Sequence, residues 1–110
     1  MVMKNKKLNT PQKKCNLKDV LDVIGGKWAM PIIYHLSQSK MRFKEIERSV
    51  EGINTRMLVK ELKNLEANGI VTRKVFATVP PMVEYALTPK GDHLLPSIHS
   101  LYEWGQEYTT

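Results

Sequence analysis

Apolar positions first recur at helical spacing from Leu17 through Val20 and Leu21 to Ile24, where Gly25-Gly26 ends the run and predicts a short amphipathic helix. A second apolar stretch, from Trp28 through Met30, Ile32, Ile33 and Leu36 to Ser37, predicts a richly buried helix with Pro31 in its first turn, where a missing N–H costs little. After the polar break at residues 37–40, Phe43, Ile46 and Val50 keep helical spacing until Glu51-Gly52-Ile53 supplies a turn. Asn54 can cap a fourth helix that runs to Ala67 and is stopped by Asn68-Gly69. Two helices joined by a short Gly-containing turn make a helix-turn-helix candidate.

The pattern then changes period. Ile70, Val71, Val75, Phe76 and Val79 form a β-branched and aromatic run, Pro80-Pro81 breaks it, and Met82–Leu87 follows, so a hairpin is expected. Thr88 can cap a single final helix with Pro89 at its first position, continuing through Leu94, Leu95, Ile98, Leu101 and Tyr102 to about Glu107. No internal repeat is visible.

Composition narrows the class. At 110 residues, 42% hydrophobic and 25% charged, the chain is one small globular domain rather than a disordered or fibrous one. No apolar run approaches the roughly 18–20 residues that span a bilayer and no signal peptide pattern follows the Lys-rich start, so a cytoplasmic location is expected. One Cys and three scattered His (His35, His93, His99) cannot build an ordinary four-ligand zinc site within one chain, so neither metal nor cofactor is expected.

Charge changes the picture once it is located. Of the net +6, residues 1–14 carry five Lys and no acid and read as a basic mobile tail before a domain over residues 15–110. Residues 40–74 carry nine Lys or Arg against five Glu, and residues 75–110 carry one Lys against four acids. A basic tail and middle with an acidic back suits a polyanion-binding face, although solubility alone would also produce it.

At about 100° per residue, Met57, Leu58, Leu62 and Leu65 gather on one side of the fourth helix and Arg56, Lys60 and Lys63 on the other. Such a stripe, starting at the positive end of the helix dipole, can meet phosphates or base edges in a major groove; it can equally be a solvated face. The order of elements favours DNA: a helix, a Gly turn, a capped basic helix, then a hairpin carrying Arg73-Lys74. Arg42 and Lys44 on the preceding helix, with Asn54 and Thr55 at the start of the basic one, complete the candidate DNA-binding set. The hairpin closes a sheet or acts as a wing whose nearly uncharged tip, Thr78–Met82, fits the minor groove or the backbone by shape.

Other chemistry is weaker. Gly25-Gly26-Lys27 superficially matches a phosphate loop but is followed by Trp28 and lacks the upstream Gly, so phosphate binding is rejected, and Trp28 reads as a core anchor. The three His have no nucleophile or carboxylate relay beside them, so no catalysis is expected. Cys15 follows Lys13 and Lys14 and precedes a helix start, surroundings found around reactive thiols; it can also be an inert small hydrophobe.

Cys15, Ile24-Gly25-Gly26-Lys27-Trp28, Arg42-Phe43-x-Glu45-Ile46, Gly52-Ile53, Met57-Leu58, Leu62, Leu65-Glu66, Gly69, Arg73 and Val79-Pro80-Pro81-x-Val83-Glu84-Tyr85-x-Leu87-Thr88 together resemble the HxlR-type family of winged helix-turn-helix regulators. The resemblance covers about residues 15–106. It implies a mainly α fold with a small antiparallel β-hairpin and N- and C-terminal dimerisation helices. It further implies a homodimeric transcription factor on double-stranded DNA, read by the helix after the Gly turn, with some members sensing oxidants or electrophiles through the Cys near the N-terminus.

Leu17, Leu21, Ile98, Leu101, Tyr102 and Trp104 are the candidate dimer-interface residues, because the first and last helices carry more apolar surface than so small a domain can cover. The chain departs from the family at Asn16, where Pro is usual, at Met82, often a cation, and at Val59-Lys60-Glu61, where a Thr-Gln-Gln-like stretch is common. Base contacts of other members therefore do not transfer, and the operator and any small-molecule effector stay unassigned. The alternative is a winged-helix module for protein–protein contact without DNA binding, against which the cations Arg56, Lys60, Lys63, Arg73 and Lys74 argue.

Overall fold

A computed structural model describes residues 14–109; the tail expected over residues 1–14 lies, apart from Lys14, outside them. The described elements are α1 (Leu17–Ile24), α2 (Ala29–Leu36), α3 (Phe43–Ser49), α4 (Thr55–Ala67), β1 (Val71–Phe76), β2 (Met82–Leu87), α5 (Pro89–Asp92) and α6 (Leu95–Tyr108). Local chemistry sets most of these bounds. Asn16 caps α1 in a reciprocal box, its Oδ1 accepting from the Asp19 N–H at 3.1 Å while Asp19 Oδ2 accepts from the Asn16 N–H at 3.1 Å. At the far end of α4, the Gly69 N–H donates to Glu66 O at 3.0 Å and the Ile70 N–H to Leu65 O at 2.9 Å. That paired closure needs the left-handed φ of +74° that Gly69 adopts, and it turns the chain directly into β1.

The core gathers around α2. Ala29, Ile32, Ile33 and Leu36 of that helix, Ile46 of α3, Leu58, Leu62 and Leu65 of α4, Val71 of β1 and Tyr85 of β2 are all buried, with Trp28 packed against them as the expected anchor. β1 and β2 pair antiparallel with Val71 opposite Leu87, Arg73 opposite Tyr85 and Lys74 opposite Glu84. The Met41 N–H donates to Tyr85 O at 3.0 Å and the Tyr85 N–H to Met41 O at 2.8 Å, so one residue just beyond the expected polar break adds an isolated antiparallel bridge to the other edge of β2. Helix, turn, helix and hairpin in this arrangement form a winged helix-turn-helix.

The single final helix is corrected to two. Pro96 has no N–H, and in a continuous helix its ring would strike the carbonyl of Asp92, so the chain turns through His93-Leu94 and restarts with Pro96 in the first turn of α6. Ile98 is a second correction. At 6% exposure it belongs to the core of the chain and not to its exposed surface.

α5 lies close against the start of the hairpin. A Cβ at Gly91 would stand 2.4 Å from Ile70 O and 3.2 Å from Leu87 Cδ2, so a methyl group there forces backbone apart. Gly91→Ala should therefore lower the unfolding free energy by about 1–3 kcal/mol in urea titration. An unchanged midpoint would show that α5 can lift off the sheet at no cost.

Candidate nucleic-acid interface

The site is built outward from α4. Asn54 Oδ1 accepts from the Met57 N–H at 2.8 Å, as expected of its cap, and with Leu58, Leu62 and Leu65 buried, Arg56, Lys60 and Lys63 are all exposed. Thr55, the first helical residue, donates its hydroxyl to Glu47 Oε2 at 2.5 Å. This bond ties α3 to α4 across the turn that Gly52 makes at φ +89°, and Glu47 was not among the residues the sequence singled out. Its neighbour Glu45 accepts from the Arg42 N–H at 2.8 Å and caps α3. Both acids therefore serve the geometry of the two helices.

Four of the candidate cations, Lys63 with Arg73 and Arg42 with Lys44, line two hollows that share Phe43. A hollow of about 280 Å3 is lined by Phe43, Val59, Leu62, Lys63, Glu66, Arg73 and Tyr85. A wider one of about 780 Å3 lies between the start of α3 and the wing, lined by Arg42, Phe43, Lys44, Arg48 and the wing residues Thr78–Val83 among others. Arg48 joins the second pair; it lies one helical turn beyond Lys44, a spacing that could have flagged it.

Arg73 and Lys74, adjacent in sequence, are separated by the strand. Successive side chains of a strand point to opposite faces, so Arg73 shares the face of buried Tyr85 and lines the α4 hollow. Lys74 lies on the other face, opposite Glu84, with its Nζ 5.3 Å from the centre of the Phe76 ring. At the wing tip Val79 is fully exposed.

The HxlR-like helix-turn-helix family model matches residues 23–110. The chain belongs to that family. Among HxlR-like relatives, the helix-turn-helix-type transcriptional regulator YybR of Bacillus subtilis is 46% identical over 105 residues, spanning 94% of this chain and 84% of the relative. The regulator BH0655 of Halalkalibacterium halodurans is 50% identical over 86 residues, spanning 77% of this chain and 76% of the relative. The redox regulator HypR in its oxidised form superposes with a TM-score of 0.81 at 45% identity, over 87% of this chain and 99% of that one. Its reduced form gives 0.78 at 46% identity, over 83% and 90%. This HxlR-like chain is thus a transcriptional regulator of helix-turn-helix type.

The Thr55–Glu47 bond generates a stability prediction. Thr55→Val and Glu47→Ala should each cost about 0.5–1.5 kcal/mol, and the double variant should cost little more than either single one, because all three remove the same bond. Additive losses in a double-mutant cycle would place the two side chains in independent roles.

Proposed function

We propose that this regulator binds double-stranded DNA sequence-specifically as a homodimer, with α4 of each protomer in the major groove of one half-site of a pseudo-palindromic operator. The observation that carries the reading is the two-sidedness of α4: one face is seated in the core by three buried leucines, and the other presents Arg56, Lys60 and Lys63 to solvent. Seated cations are what base-edge recognition requires, since bidentate contacts lose their discrimination when the helix can shift. Arg73 and the cations around the wing hollow supply phosphate contacts that fix register. Because its partner is DNA, the regulator is proposed to work in the cytoplasm, and no helix among the described residues is long and apolar enough to cross a membrane.

The two-fold partner is argued from α1 and α6. Leu17, Val20, Leu21 and Ile24 form one stripe on α1, yet only Ile24 is buried. On α6, Leu101, Tyr102, Trp104 and Tyr108 are exposed by 52–66%. A second copy covering both helices buries this surface. Selection of duplexes from a random pool tests the whole reading, with sedimentation giving the mass of the free protein. The expected result is a dimer and a selected sequence with two half-sites about 34–36 Å apart.

On the selected duplex Arg56→Ala and Lys60→Ala should cost about 1–3 kcal/mol more than on random duplex. Arg73→Ala should weaken both duplexes alike and lower the salt slope by about one, whereas Lys74→Ala, on the far face, should change neither. Equal losses on both duplexes for Arg56 and Lys60 would reduce those residues to phosphate neutralisers.

A redox response through Cys15 is the second part of the proposal. Cys15 is exposed and sits immediately before the cap of α1, and HypR, described as a redox regulator, is a close structural match. One hypochlorous acid can oxidise the Cys15 thiols of two protomers to a disulfide, leaving chloride, a proton and water. Oxidant should change the operator affinity of the wild type and leave Cys15→Ser unaffected. The same response in both proteins would remove Cys15 from signalling.

A further inference from the structure

α4 exposes an apolar side chain on the border of its cationic face. Val59 is 39% exposed and lies between Arg56 and Lys60 in sequence, and about 40° round the helix from Lys63 on the border nearest Phe43 and Arg73. Neither helix propensity nor solvation explains it. A β-branched residue is a weaker helix former than Ala, Lys or Glu, and exposure of its methyl groups to water is unfavourable. Thr55, one turn earlier on the same border, has its hydroxyl hydrogen held by Glu47, so this edge of α4 has no free side-chain donor at either position with which to reach a base acceptor. What an exposed branched apolar side chain can recognise in a major groove is the C5-methyl group of thymine, the apolar feature of the base-pair edges there.

We propose that Val59 is a specificity-determining residue that packs against the C5-methyl of one thymine in each half-site, beside the bases read by Arg56 and Lys60. The inference rests on the DNA-binding reading above and deepens it. Arg56 and Lys60 favour guanine acceptors, while a valine at this border favours T·A over C·G, because cytosine offers no methyl at that edge.

The test uses the full chain and the duplex selected from the random pool, with each thymine replaced in turn by deoxyuridine, which lacks only the C5-methyl. One thymine per half-site should show about fourfold weaker binding on replacement, the ratio expected for burying one methyl group. Val59→Ala should bind the thymine and deoxyuridine duplexes equally, with random-duplex affinity unchanged. Val59→Thr, which keeps one methyl, should retain part of the preference. Ala is the better helix former, so Val59→Ala keeps α4 intact, which far-ultraviolet circular dichroism checks. Operator binding indifferent to deoxyuridine at every position would overturn the role of Val59 while leaving DNA recognition standing. Sensitivity that survives in Val59→Ala would assign the methyl contact to another side chain and overturn it equally. Failure to select any duplex would remove both readings.

Discussion

The seating of α4 on the core is the interaction on which the rest of the molecule depends. Leu58, Leu62 and Leu65 are between 0 and 2% exposed, each burial stabilising by about 1.5–3 kcal/mol, and together they fix the rotation of the helix about its axis. Once that rotation is fixed, Arg56, Lys60 and Lys63 have nowhere to go but solvent. The same seat fixes the helix ends. Asn54 caps one, Gly69 closes the other, and the chain leaves that closure straight into β1, so Arg73 arrives beside Lys63. A charged surface formed in this way is rigid, and rigidity is what separates a reader of base edges from a merely basic face.

A single chain leaves α1 and α6 incompletely covered. Small domains bury a low fraction of their surface, and this one concentrates its core around α2, where α1 contributes Ile24 and α6 contributes Ile98. The rest of the apolar stripe of α1 and the aromatic face of α6, where the Trp104 and Tyr108 rings stand 5.5 Å apart, remain outside that core. Ile98 therefore has a different role from its neighbours. It pins α6 to the core so that Leu101, Tyr102 and Trp104 are held out at a set angle for the proposed partner.

Much of this was legible because the signals are local. The bounds read from the sequence follow from residues that act within a few positions of themselves, Gly25-Gly26 after α1, Asn54 with Met57 at the start of α4 and Asn68-Gly69 at its end. What was misread has two causes. The break before α6 was written in Pro96, but apolar periodicity across residues 94–102 outweighed a single breaker. Ile98 shares that periodicity with Leu101 and Tyr102, and spacing tells which face is apolar without telling what covers it. Glu47 and Met41 were invisible for a different reason: each acquires its role from a partner brought close by the fold, Thr55 and Tyr85 respectively. Arg73 and Lys74 were misread in yet another way, since a charged pair read as one unit is split by the two-residue period of a strand.

The departure at Val59-Lys60-Glu61 also divides along the seat of α4. Val59 and Lys60 are exposed, but Glu61 is half-buried and its Oε2 accepts from Asn64 Nδ2 at 3.3 Å. That same Asn64 amide donates to Val23 O in the last turn of α1 at 3.2 Å, so Glu61 belongs to the packing of α4 against α1 and not to the outward surface. Two consequences follow from the geometry. Residues 59 and 60 can change what the helix meets without disturbing how it is held, which is how one scaffold can serve different operators. And α1, the helix that begins just after Cys15, is bonded through Val23 to the helix that carries the candidate base contacts, so a displacement of α1 of the kind proposed for Cys15 or a partner copy would act on α4 through a bond that Asn64 and Glu61 orient together.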